Sequence, residues 1–204
     1  MFSHVLWIGG ATDTGKSTIA ARVAEKYGAQ VYHYDKHDLR HHEILAENSN
    51  QYLHFLHAPL DERWINQTPQ SLFDRTMESF KRRFPLVLQD FEQMEKDRLI
   101  IAEGFGFTPQ LITPHLPTID HAIWLVPSQP FKAESMKRRN KPSFRDQTSD
   151  PQKAYENLLG RDLLIADYYR EEVPKVGGRL VEVDGSLDID GMLILVEEHF
   201  KEWL

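Results

Sequence analysis

An apolar run at residues 4–8 leads into Gly10-Ala-Thr-Asp-Thr-Gly15-Lys16-Ser17, which matches the pattern G-x-x-x-x-G-K-[ST] in full. An alanine-rich helical pattern begins directly afterwards, at Thr18. Glycines let backbone N–H groups converge on an anion, and the start of a helix adds unpaired N–H groups and its dipole at the same point. The sequence therefore predicts a phosphate-binding loop between the first strand and the first helix.

The predicted loop assigns a role to several side chains. Lys16 is expected to neutralise the β- and γ-phosphates of a nucleotide, and the Ser17 hydroxyl to ligate Mg²⁺. Asp13 is a carboxylate inside an anion-binding loop, so we expect it to point outward into solvent. The predicted nucleotide-binding set is Gly10, Ala11, Thr12, Asp13, Thr14, Gly15, Lys16, Ser17 and Thr18.

Short apolar runs recur along the chain and predict five strands, at residues 4–8, 30–34, 99–102, 121–126 and 179–183. Helical patterns lie between them, at 16–27, 35–47, 61–96, 128–139, 151–172 and 189–203. Strands that alternate with helices favour an α/β fold with a parallel sheet and right-handed crossovers.

Composition narrows the function classes. The 204 residues include no cysteine, which excludes disulfides, iron–sulfur clusters, thiolate zinc sites and thiol nucleophiles. A formal charge of −7 disfavours general nucleic-acid binding, and no apolar run approaches the roughly 20 residues that span a bilayer. We therefore expect one cytoplasmic domain over 1–204, a monomer or homodimer, that binds neither nucleic acid nor membrane.

Two segments interrupt the strand–helix alternation. The second and third predicted strands lie more than 60 residues apart, so we expect a helical insert over 40–96. Its prolines, Pro69 and Pro85, indicate several amphipathic helices, and we expect its aromatic residues to pack in the core: Trp64, Phe73, Phe80, Phe84 and Phe91. Residues 137–150 are polar, with five basic residues in nine from Lys137 to Arg145, and predict a mobile connection.

Other phosphate-loop classes lack their signatures here. A GTPase needs Asn-Lys-x-Asp, but the pair Asn140-Lys141 is followed by proline and then Ser143. Motors and transporter ATPases place an aspartate at the end of an apolar strand, whereas the third predicted strand ends in Glu103. Both classes are disfavoured.

The order of elements resembles the nucleoside monophosphate kinase group of P-loop phosphotransferases, which includes adenylate, shikimate and gluconate kinases. This resemblance implies a three-layer P-loop fold with a five-stranded parallel sheet in the order 2-3-1-4-5. It also implies ATP and Mg²⁺ as cofactors, a small-molecule acceptor bound by the 40–96 insert, and a lid at 137–150.

The same resemblance implies roles for residues outside the loop. Asp35, after the second strand, would contact the acceptor hydroxyl as a base or help hold Mg²⁺, although it could instead cap the next helix. Glu103, which ends the buried third strand, would anchor a Mg²⁺ water or the acceptor, or else have a structural capping role. The lid residues Arg138, Arg139 and Arg145 would stabilise transition-state charge, or else form a solvated basic turn. Arg161 would contact phosphate, and the corner at 183–186 would frame adenine.

Alternatives remain open at this stage. A toxin-like kinase of a nucleotide sugar, or a nucleotide-binding regulatory protein with little catalysis, would carry the same loop. Arg63, Arg82 and Arg83 could grip an anionic acceptor or lie on the surface. His33, His37 and His41 recur every four residues, beside His42. Because only His37 and His41 are expected to share a helix face, with no third ligand in view, an exposed or acceptor-lining role is favoured over zinc.

Overall fold

The computed structural model describes residues 2–47, 49–138 and 144–204. Its five parallel strands are β1 (Val5–Gly10), β2 (Gln30–His33), β3 (Ile100–Glu103), β4 (Ala122–Pro127) and β5 (Arg179–Val183). They form one sheet in the order β2-β3-β1-β4-β5. The predicted fold class and strand order are confirmed.

Eight α-helices connect the strands within the described residues. They are α1 (Lys16–Tyr27), α2 (Asp38–Ala46), α3 (Asn50–His57), α4 (Pro69–Gln93), α5 (Pro109–Ile112), α6 (Gln129–Arg138), α7 (Pro151–Lys175) and α8 (Ile189–Phe200). A 3₁₀ turn at Tyr34–His37 precedes α2, and a π-helical turn at Asp61–Ile65 precedes α4. None of the helices in the described ranges is both long and apolar enough to cross a membrane.

The sheet is covered on both faces, as parallel sheets require. Along β1, Val5 and Trp7 point to a face packed by α4 and α7. Leu6 and Ile8 point to the opposite face, which α1 and α8 cover. All six residues of β1 are buried, so the strand that carries the phosphate loop lies in the middle of the core.

The insert contains several helices, as predicted, and both of its prolines lie in α4. Pro69 does start the helix, behind a reciprocal capping pair in which Ser71 N donates to Thr68 Oγ1 at 3.1 Å and Thr68 N donates to Ser71 Oγ at 3.0 Å. Pro85 lies inside the 25-residue helix without ending it. It is on the exposed face, beside the exposed Lys81 whose carbonyl it leaves without a helical donor, so water can satisfy that carbonyl.

The buried face of α4 explains why the helix continues through Pro85. Phe80, Phe84 and Phe91 are each at most 5% exposed and pack against the sheet, as predicted, while Phe73 is partly buried at its margin. The prediction that Trp64 belongs to the core is wrong. Trp64 stacks on Phe144 with ring centroids 4.5 Å apart and lines a cavity described below.

Candidate active site

The loop between β1 and α1 has the backbone conformation that its glycines predict. Gly10 (φ 108°) and Gly15 (φ 80°) are both left-handed. A Cβ atom at Gly10 would lie 2.0 Å from the carbonyl oxygen of Leu125, so only glycine fits against β4 at this position. Helix α1 then begins at Lys16, which directs its N-terminus into the loop.

A cavity of about 260 Å³ lies above this loop. Its walls are residues 12–18 together with Asp35, Glu103 and Phe105. Asp35 follows β2 by two residues and Glu103 ends β3, so the sheet delivers both carboxylates to the same edge as the loop. The predicted loop residues, Asp35 and Glu103 therefore lie together.

Lys16 is the cation of this cavity and is 6% exposed. Its Nζ donates to the carbonyl oxygen of Ala11 and, at 3.1 Å, to Thr14 Oγ1. Burial lowers the pKa of Lys16 to about 8, against the opposing effect of the negative charges of Glu103 and Asp35. A buried ammonium with incomplete charge compensation is a strong anchor for a phosphate group.

Asp35 and Glu103 form an acidic pair beside Lys16. Burial raises the pKa of Asp35, and the negative charge of Glu103 raises it further, while Lys16 opposes both effects. Glu103 Oε1 is held at 2.7 Å by Nδ1 of His33, the residue paired with it across the β2–β3 ladder. Asp35 caps neither helical segment that follows β2: His33 precedes the 3₁₀ turn and His37 precedes α2, and neither start has a side-chain cap.

These residues suit a hard divalent cation. Ser17, Asp35 and Glu103 all line the phosphate-loop cavity and offer hydroxyl and carboxylate oxygens, the ligands that Mg²⁺ prefers. The donor set therefore fits the magnesium ion that normally accompanies a nucleotide triphosphate.

Asp13 does not point into solvent, contrary to the prediction. Its side chain is 3% exposed, and its Oδ2 lies 2.5 Å from Nζ of Lys132, a residue of α6 that is itself 1% exposed. The same ammonium contacts Asp162 Oδ2 on α7 at 2.5 Å and donates to Thr12 Oγ1 at 2.5 Å. Asp162 also binds Arg161, whose Nη2 lies 2.6 Å from Asp162 Oδ1, so Asp13, Lys132, Asp162 and Arg161 form a continuous series of ion pairs. A buried lysine, rather than water, therefore neutralises the loop carboxylate.

A second cavity, of about 480 Å³, opens beside the first, and Phe105 lines both. Aromatic and charged side chains from α2, α3, α4, the π-helical turn and α7 form its wall. Its residues include Tyr52, Trp64, Phe80, Arg63, Arg75, Arg82, Arg83, Arg161, Asp38, Asp74 and Glu78. We call it the arginine cavity.

Two of these arginines are paired with carboxylates of the same cavity. Arg83 Nη1 donates to Asp38 Oδ1 at 2.5 Å and its guanidinium lies over the Tyr34 ring, so this arginine is 1% exposed and structural. Arg82 Nε donates to Glu78 at 2.6 Å on the helix surface.

The other three arginines, of which Arg161 is also bound to Asp162, lie close to one another. Burial lowers the pKa of Arg75, and the charges of Arg63 and Arg161 lower it further, which places three guanidinium groups within electrostatic reach of one another. Arg75 Nη2 donates to the Arg63 carbonyl at 2.9 Å, and Arg161 lies over the Trp64 ring at 5.3 Å. Like charges gathered in one cavity attract an anion.

The predicted lid arginines lie elsewhere. Arg138 is 62% exposed and lies 3.7 Å from Glu134 on its own helix, and Arg145 lies over the Tyr155 ring. Neither lines either cavity. Arg139 is outside the described residues. Arg161, predicted to contact phosphate, lines the arginine cavity rather than the phosphate-loop cavity.

Sequence reasoning missed the contact between His33 and Glu103, and it missed Arg75 and Lys132. His33 ends a strand two residues before Asp35, a position that could have marked it as part of the site. Arg75 and Lys132 lie in helical patterns among several other basic residues. Only the tertiary structure brings Arg161 of α7 close to Arg75, and Asp13 of the loop and Asp162 of α7 into contact with Lys132.

Comparisons with known proteins agree with this architecture. No protein-family model and no curated protein matches the sequence. Thymidylate kinase from Candida albicans is 14% identical with a TM-score of 0.51, over 98% of this chain and 92% of that one. Deoxyadenosine kinase from M. mycoides, with dCMP and dCDP bound, is 14% identical with a TM-score of 0.50, over 97% of this chain and 99% of that one. An uncharacterised protein from Eubacterium ventriosum is 14% identical with a TM-score of 0.50, over 97% of this chain and 98% of that one. The chain thus has the fold of the P-loop small-molecule kinases, over nearly its full length.

Proposed function

We propose that the protein transfers the γ-phosphate of ATP to a small, anionic acceptor molecule bound in the arginine cavity. The observation that carries this proposal is that the phosphate-loop cavity and the arginine cavity adjoin at Phe105, with Asp35 and Glu103 beside the loop. A donor and an acceptor in neighbouring cavities meet the first requirement of phosphoryl transfer, which is positioning.

The arginine cavity suggests the class of acceptor. Arg63, Arg75 and Arg161 would bind a phosphate or carboxylate group, since guanidinium groups bind both with paired hydrogen bonds. Trp64 and Phe80 offer flat apolar surfaces for a ring. A nucleotide or a sugar acid fits this combination better than an uncharged nucleoside.

In this proposal each loop-side residue has a distinct task. The loop N–H groups and Lys16 bind the β- and γ-phosphates, and Lys16 neutralises charge that develops on the transferred group. Asp35, whose pKa is raised by burial, accepts the proton of the attacking hydroxyl. Ser17 and Glu103 would hold Mg²⁺, which would withdraw charge from the phosphate oxygens when bound.

The experiment is ADP release from ATP with Mg²⁺, measured across a panel of nucleosides, nucleotides, sugar acids, nucleotide sugars and aminoglycosides. We expect stimulation by an anionic member of the panel, and loss of that stimulation in Lys16→Ala. Arg98→Ala is the matched control, because Arg98 is an exposed cation on the segment between α4 and β3.

The outcomes separate the alternatives. Stimulation by a nucleotide sugar alone would indicate a toxin-like kinase of nucleotide sugars rather than a kinase of nucleotides or sugar acids. Tight ATP binding with no acceptor response would support a regulatory protein. ADP release that survives Lys16→Ala with the acceptor present would contradict the proposal.

A further inference from the structure

Outside both cavities, three metal-ligating side chains converge between α2 and α4. His37 ends the 3₁₀ turn before α2, His41 follows one helical turn later, and Asp90 belongs to α4. One ring nitrogen of each histidine and one carboxylate oxygen of Asp90 all lie within 4.8 Å of one another. The third ligand that the sequence did not reveal is therefore supplied by the tertiary structure.

The distances are close to those that a bound ion requires. Asp90 Oδ2 lies 3.0 Å from His41 Nε2 and 3.6 Å from His37 Nδ1. A tetrahedral zinc ion with bonds of about 2.0–2.1 Å places its ligands about 3.3 Å apart. Two of the three separations thus need to change by only a few tenths of an ångström.

The surroundings hold these ligands in place. Tyr32 donates its hydroxyl to Asp90 Oδ2 at 2.7 Å, and its ring stacks on the His37 ring at 4.6 Å with an interplanar angle of 3°. His41 is fully buried, whereas the His37 side chain is 34% exposed, so the cluster is rigid on one side and open on the other. Hydrogen-bonded carboxylate ligands and an open side are features of protein metal sites.

A cation already occupies the point of convergence. Arg40 Nη2 lies 3.3 Å from His37 Nδ1 and 3.1 Å from His41 Nε2, and it also donates to Asp90 Oδ1. The Arg40 side chain is 50% exposed, so it can leave toward solvent without opening the core. The three side chains therefore bind a positively charged group at this point, and that group can be displaced.

We propose that His37, His41 and Asp90 bind a divalent transition-metal ion, zinc in the first place, in exchange for the Arg40 guanidinium. Two imidazoles one helical turn apart with one carboxylate form a nitrogen–oxygen set typical of zinc, and the exposed side leaves room for a water as fourth ligand. A bound ion would join α2 to α4 and so brace one wall of the arginine cavity.

The test is zinc titration of the untagged full-length chain against a chromogenic chelator. His37→Ala is expected to weaken zinc binding by at least about tenfold, because it removes one of three ligands. Arg40→Met is expected to tighten binding by about five- to tenfold, because the competing cation is gone. His57→Ala, which removes an exposed histidine of α3, should leave the affinity unchanged.

Cobalt substitution provides a second readout. Co²⁺ bound to two imidazoles and a carboxylate should give the visible absorption of a tetrahedral or five-coordinate ion, and the band should vanish in His37→Ala. Circular dichroism of each variant confirms that it is folded, since His37 and Arg40 are both on the accessible side of the cluster. Equal zinc affinity in wild type and His37→Ala, or no gain in Arg40→Met, would overturn the proposal.

Discussion

Lys132 neutralises Asp13, the only carboxylate inside the phosphate loop. Replacing Lys132 by methionine is the most direct test of the buried ion pairs that join Asp13, Lys132 and Asp162. The ammonium is 1% exposed and lies 2.5 Å from carboxylate oxygens of both Asp13 and Asp162, whose side chains are 3% and 5% exposed. Methionine keeps most of the volume and apolar length of the side chain and removes the charge. The substitution therefore isolates electrostatics from packing.

The expected loss is large because solvent cannot replace the ammonium. Removing one partner of a buried ion pair costs about 3–5 kcal/mol, and Asp162 retains Arg161 while Asp13 loses Lys132, so the loss falls mainly on the loop. In a domain of this size the loss corresponds to a fall of about 6–20 °C in the melting temperature. Equilibrium urea unfolding at pH 7 measures it directly.

A double-mutant cycle assigns the effect to the pair. Asp13→Asn combined with Lys132→Met should recover more than about 1 kcal/mol relative to Lys132→Met alone, because the carboxylate that faced the lost ammonium is then gone. The same combination should restore ATP affinity that Lys132→Met loses through repulsion between Asp13 and the phosphates. A loss below about 1 kcal/mol in Lys132→Met, or additive effects in the double mutant, would refute the reasoning.

Three further outcomes follow from the site. Burial lowers the pKa of Lys16 to about 8, so its positive charge destabilises the ligand-free fold below pH 8. This destabilisation disappears as the pH rises from 8 toward 10.5. Lys16→Met should therefore raise the free energy of unfolding at pH 7 by up to about 3 kcal/mol and remove the pH dependence measured by urea unfolding. Asp35→Asn should abolish acceptor-dependent ADP release without lowering the unfolding midpoint at pH 7, because the pKa of Asp35 is raised and its ionised form therefore does not stabilise the fold. Arg75→Met should raise KM for an anionic acceptor about tenfold or more with little change in KM for ATP, whereas equal changes in both KM values would contradict a role confined to the arginine cavity.

The sequence alone determined the parts of the protein that depend on local pattern. The five strands, of which β1, β3 and β4 are buried along their whole length, and the glycine positions of the phosphate loop are readable because strand patterning and left-handed backbone are properties of a few adjacent residues. The strand order came from resemblance to kinases with the same element order. Pro69 starts α4, whereas Pro85 lies inside it, where burial of Phe80 and Phe84 on the other face outweighs one lost hydrogen bond.

Only the tertiary structure decided which charged side chains meet. Asp13 and Lys132 are 119 residues apart and His41 and Asp90 are 49 apart, and nothing in their local sequence distinguishes them from surface residues. A buried charge is tolerated only beside a partner that the fold brings to it, so the pairing is a property of the packed elements rather than of any segment. For the same reason the sequence could not show that Arg138 and Arg145 line neither cavity, or that Arg75, inside an ordinary amphipathic helix, lines the arginine cavity.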